Sequence, residues 1–119
     1  MLVTFEQWTD HTQSPKWAKR VAALIWNARP GSIFSPQIEE QLGISGNTVR
    51  GAVHYLRTEL SAPICSEGRA GYFWALNASQ LDNTILHGKQ RIRSIADWVA
   101  QMEQVQSKMR NPPSQLEML

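Results

Sequence analysis

The stretch LGISGNTVRGAVHYLR, residues 42 to 57, constrains the fold more than any other. Two helical patterns meet there with almost nothing between them. Ile38 and Leu42 lie four apart, and Val49, Ala52, Val53, Leu56 and Leu60 continue at helical spacing on the far side. Gly43 ends the first pattern, because glycine accepts the left-handed conformation that closes a helix. Ser45 starts the second by offering its side-chain oxygen to a free backbone N–H. A chain that stops a helix and restarts it within three residues cannot run straight through. The second helix must cross the first steeply, so that both bury their stripes on one core.

The elements on either side are set by punctuation. Residues 1 to 14 read as an N-terminal extension, with a short helix starting at Thr4 and Trp8 packed on a neighbour. Ser14 and Pro15 form a cap with proline in the first turn, so a helix runs from there to Arg29-Pro30-Gly31. Trp17, Val21, Leu24 and Ile25 share its apolar face. GSIF, residues 31 to 34, is too short for a helix and reads as an extended segment. Ser35-Pro36 then repeats the cap-plus-proline start. After Pro63, the runs Ile64–Ser66 and Tyr72–Leu76 flank EGRAG and read as a hairpin with a glycine-bearing turn. Asn77 or Ser79 caps a long helix to about Arg110, and the tail NPPSQLEML reads as disordered. The expected fold class is therefore mostly α with a small β-hairpin, followed by a long C-terminal helix.

The helix, turn, helix and hairpin, LGISGNTVRGAVHYLR followed by PICSEGRAGYFW, resemble the winged-helix DNA-binding domain in its small bacterial and phage form. The resemblance rests on Gly43, Ile44, Ser45, Thr48, Val49, Arg50, Ala52, Val53, Leu56 and Arg57, then on Pro63, Ile64, Ser66, Gly71, Tyr72 and Trp74. It covers residues 15 to 77, about half the chain. It implies a winged helix-turn-helix that binds double-stranded DNA, with residues 78 to 110 as an appended helix. Its motifs are more specific for fold than for function, because one fold serves many partners.

On that reading the major-groove face comprises Ser45, Asn47, Thr48, Arg50, Gly51 and His54. Asn and Arg are the side chains that pair bidentately with adenine and guanine edges. Gly51 permits close approach where a helix built only for stability would carry alanine. Arg69 at the hairpin tip suits a narrow minor groove, although Glu67 stands beside it. Lys16, Lys19, Arg20 and Arg57 are candidates for phosphate; Arg57 alternatively pairs with Glu59 or Glu40. Lys89, Arg91 and Arg93 on the long helix have the same chemistry. Trp17, Trp26, Phe34, Tyr72, Phe73 and Trp74 invite a stacking platform for single strands, but Trp17 and Trp26 sit among aliphatic neighbours on a helix and Trp74 on a hairpin strand, so the group reads as core.

The long helix carries a second pattern. Leu81, Ile85, Ile92, Ile95, Val99 and Met102 approach a heptad seam, with Gly88 at the gap, and Trp98, Val105 and Met109 widen it. Ile95, Val99, Met102, Val105 and Met109 are the expected dimerisation residues, and a homodimer is the expected assembly.

Other functions find little support. Cys65 is the single cysteine, so no disulfide and no multi-cysteine zinc site forms within the chain. His11, His54 and His87 are scattered, which predicts neither a metal site nor a catalytic centre. GRAG lacks the Lys-Ser or Lys-Thr of a phosphate loop. The expectation is no enzyme, no cofactor and no small-molecule substrate. No basic, apolar leader opens the chain and no run reaches the length of a membrane span, so no membrane partner and a cytoplasmic location are expected. The net charge of +2 is low for a nucleic-acid binder. It leaves a protein-docking module, for example an inhibitor of a host enzyme, as the rival to a transcriptional regulator or a replication or recombination accessory factor of phage or mobile-element type.

Overall fold

The structure, a computed structural model, describes residues 16 to 111. The expected helix at Thr4, the packing of Trp8, the Ser14-Pro15 cap and the disordered tail beyond Asn111 lie outside the described residues. Within them the order is α1 (Ala18–Asn27), β1 (Ile33–Phe34), α2 (Ser35–Leu42), α3 (Gly46–Glu59), β2 (Ile64–Glu67), β3 (Gly71–Trp74), a 3-10 turn (Ala78–Leu81) and α4 (Asp82–Arg110). The protein is mostly helical, with a small three-stranded antiparallel sheet in the order β1-β3-β2 and a long C-terminal helix. The chain divides into two units, one ending at Thr84 and the other beginning at Ile85.

Most local signals act as their chemistry requires, but Ser35 does not cap α2: Phe34 holds the cap position, and Ser35, already helical and buried, donates its hydroxyl to Glu39 at 2.9 Å. Pro36 sits in the first turn of α2, and Gln37 Oε1 accepts the Phe34 N–H at 2.9 Å, satisfying a donor that the helix leaves free. Gly43 closes α2 at φ 65°. Ser45 Oγ then accepts the Thr48 N–H at 3.2 Å and opens α3. Val49, Ala52, Val53 and Leu56 turn inward from α3, and Val21 and Ile25 meet them from α1. Ile38 joins from α2 and Ile64 from β2.

The short extended segment becomes a true strand by pairing. Ile33 lies opposite Tyr72 and Phe34 opposite Gly71. The pairing depends on Gly71: a methyl group there would lie 2.8 Å from the Phe34 ring and 2.6 Å from the Glu67 carbonyl. Trp74 is buried and meets Trp26 edge-on, with ring centroids 5.0 Å apart. The core reading of these two tryptophans therefore holds, whereas Phe34, read with them as core, is 44% exposed.

Several boundaries differ from the sequence pattern: β2 runs on to Glu67, and the long helix starts only at Asp82, after the 3-10 turn. The β-run ends at Trp74 rather than Leu76, whose N–H turns to Gln80 Oε1 at 2.6 Å. The first unit also extends past residue 77. Ile64 and Cys65 are both buried although they point to opposite faces of β2. The second face is covered by the 3-10 turn and the first residues of α4. Cys65 Sγ donates to the Gln80 carbonyl at 3.3 Å, and the Ser66 N–H donates to Thr84 Oγ1 at 3.0 Å. Burial pushes the Cys65 thiol above its ordinary value, so it stays a neutral packing group.

Candidate nucleic-acid interface

The burial of one α3 stripe fixes what the other presents. Asn47, Arg50, Gly51 and His54 are exposed. Their spacing of three, one and three places them on a single helical face. Arg50 Nη2 donates to Asn47 Oδ1, so two of the polar groups of that face are already joined. The same guanidinium lies near the start of the helix: a methyl group on Gly46 would be 3.4 Å from Arg50 Nη1 and 3.5 Å from the Glu39 carboxylate oxygens. Glu39 in turn accepts the Ser35 hydroxyl at 2.9 Å. Ser45 and Thr48 differ from the rest, since their hydroxyls lie 3.0 Å apart and hydrogen-bond each other as part of the cap.

Gly51 has no structural reason to be glycine. It sits inside α3 and a methyl group there would meet nothing within 4 Å. Gly51→Ala should therefore raise the stability by about 0.5–1 kcal/mol, through the lower entropy cost of fixing alanine in a helix. Thermal melting checks this as a rise of a few degrees, and an unchanged or lower melting point contradicts it.

Arg57 departs from its expected part, which was to contact phosphate or to pair with Glu59 or Glu40. Its Nε instead donates to the Ile64 carbonyl at 2.8 Å, and its Nη2 to Ser66 Oγ at 3.0 Å. Being partly buried, its guanidinium titrates below the usual arginine value, mainly through lost hydration. It ties α3 to β2, because the buried stripe leaves its side chain no course except along the sheet.

The remaining cations stand on other elements. Arg69 is exposed beside Gly68, which adopts φ 56° in the hairpin turn. Glu67 accepts the Ser32 hydroxyl and is thereby tied to the start of β1. On α1 and just before it, Arg20 and Lys16 lie 5.4 and 5.2 Å from the centre of the Trp17 ring, within cation–π range. Both are exposed, as is Lys19. Arg29, which the sequence pattern did not single out, stacks 3.4 Å from the Trp26 ring centre and donates to the Trp26 carbonyl at 2.7 Å. Up to Thr84 the seven basic side chains are matched by seven acidic ones, so the first unit carries no net formal charge, and its cations act by position rather than by excess.

A groove of about 440 Å³ lies among Ser61, Pro63, Leu76 and Leu81. Its one charged lining residue, Arg57, is already bonded to β2. Among the described residues no cluster of three or more His, Cys, Asp or Glu is spaced to hold a metal ion. Nor, among them, is any helix long and apolar enough to cross a membrane. No family model, no curated protein and no solved structure matches the chain.

Proposed function

We propose that the chain is a non-enzymatic winged-helix protein that binds double-stranded DNA sequence-specifically. In this reading α2 and α3 form the helix-turn-helix, and the hairpin β2–β3 is the wing. The observation that carries it is the exposed α3 face of Asn47, Arg50, Gly51 and His54, whose glycine the fold does not require. Arg and Asn supply base-edge hydrogen bonds in the major groove, and Gly51 lets the helix axis come close. The hydrogen bond between Arg50 and Asn47 holds both side chains in one orientation before DNA arrives. Arg69 reaches backbone or minor groove from the wing, and Lys16, Lys19 and Arg20 contact phosphate from the α1 end of the domain. Ser45 and Thr48 act by capping α3, and Arg57 by bracing it. A cytoplasmic regulator of transcription, or an accessory factor of replication or recombination from a phage or mobile element, fits a chain with this architecture.

The rival reading, a module that docks on another protein, draws on the low net charge and the exposed apolar residues of α4. Titration of fluorescent random-sequence duplexes at rising salt separates the two. Four phosphate contacts from Arg69, Lys16, Lys19 and Arg20 predict that log K falls against log salt with a slope of about −3 to −4 per subunit. Gly51→Ala should bind the specific target less tightly despite its greater stability. Binding that is absent, or indifferent to salt, favours protein docking.

A further inference from the structure

The helix α4 runs for 29 residues and buries none of them. From Ile85 to Arg110 every residue is exposed. Yet the exposed residues include Ile92 at 69%, Trp98 at 57% and Met102 at 50%. Helices in water owe most of their stability to packing of an apolar face. Among the described residues nothing supplies that packing for α4, and Gly88 weakens the helix further.

The apolar residues keep a seven-residue repeat. Ile85, Ile92 and Val99 occupy one core position of the heptad, called a. Gly88, Ile95, Met102 and Met109 occupy the other, called d. This frame assigns the flanking positions without further choice. The e positions are Asp82, Lys89, Ala96, Glu103 and Arg110, and the g positions are Thr84, Arg91, Trp98 and Val105.

Those flanks decide the partner and its direction. Along e the charges read minus, plus, none, minus, plus. Reversed in direction and in sign, the series is unchanged. When two such helices run antiparallel, e faces e across the seam. A second copy centred near Asp97 then sets Lys89 against Glu103 of the partner subunit, Asp82 against the partner's Arg110, and Ala96 against its own copy. In a parallel pair g faces e, and Arg91 would meet alanine while Trp98 would meet glutamate, with no opposite charges opposed. The core agrees with the antiparallel register. Ile92 meets the partner's Met102, Ile95 meets the partner's Val99, and Gly88 leaves room for the partner's Gln106.

We infer that α4 forms an antiparallel two-stranded coil with α4 of a second copy of this chain, in the register that opposes Lys89 to Glu103. The pairing stands independently of the ligand of α3. Lys89 and Glu103 are fourteen residues apart, about 21 Å along one helix, so they cannot pair within a chain.

Sedimentation equilibrium of the full chain at low salt, without DNA, tests this. The wild type should be a dimer at tens of micromolar. Lys89→Glu replaces two opposed pairs by two repulsions and should weaken the dimer about tenfold, as should Glu103→Lys. Both positions are exposed, and circular dichroism checks that the variants remain folded. The double variant K89E/E103K should recover wild-type affinity to within about threefold, because the exchange restores every pair. An equimolar mixture of the two single variants should also dimerise as well as wild type. A monomeric wild type, single variants without effect, or a double variant as weak as the singles overturns the inference. None of these outcomes touches the salt-dependent titration of DNA, so the two readings fail separately.

Discussion

Val99→Glu combined with Met102→Glu should turn the protein into a folded monomer whose DNA affinity is lower by roughly a hundredfold or more. The two side chains lie in the middle of the α4 stripe, 38% and 50% exposed. Dimerisation would place four added carboxylates in one apolar seam, and their desolvation and mutual repulsion oppose assembly. The first unit has its own core of Val21, Ile25, Ile38, Val49 and Leu56, all fully buried, and none of it comes from α4. Its melting should therefore survive the change. The loss of DNA affinity is a matter of valency, since two linked footprints bind far more tightly than one. Truncation after Ala96 should act in the same way. Light scattering reads the mass, and a variant that still dimerises removes the stripe from the interface. A monomeric variant with undiminished DNA affinity would show that one subunit suffices.

Arg50→Ala should weaken specific binding by about 1–3 kcal/mol and relax the preference at one base position. It should hardly alter the melting temperature. Arg50 is exposed, and its hydrogen bond to Asn47 lies wholly on the surface of α3. Arg57, about two turns further on, offers the contrast. Its bonds to Ile64 and Ser66 are internal, so Arg57→Ala should act on stability before it acts on binding. An Arg50→Ala variant that unfolds would make the guanidinium a structural group, and one that binds its target normally would displace the groove assignment.

The elements are legible in the sequence because each has a chemical signal at its ends. Gly43, Ser45 and Pro36 stand where the backbone needs a left-handed residue, a cap or a fixed φ, and the structure uses all three; Asn77 is also a cap, but of the 3-10 turn before α4 rather than of α4 itself. Three things are not legible. The antiparallel pairing of Ile33–Phe34 with β3 joins residues nearly forty apart, and two residues carry no alternation to announce it. The burial of Cys65 depends on Gln80 and Thr84 returning across the far face of the hairpin. The inward turn of Arg57 depends on the Ile64 carbonyl, which no helical pattern reveals. The α3 face is the easier part. Once Val49, Ala52, Val53 and Leu56 are assigned to the core, helical geometry alone leaves Asn47, Arg50, Gly51 and His54 outside.

The most direct measurement is selection of bound duplexes from a randomised DNA pool by the intact protein, with Arg50→Ala in parallel. DNA reading by α3 predicts enrichment of one short motif, repeated in inverted orientation if the proposed dimer forms, with one position in each copy relaxed by the variant. A pool that stays random after repeated rounds, at salt low enough to retain phosphate contacts, would contradict it.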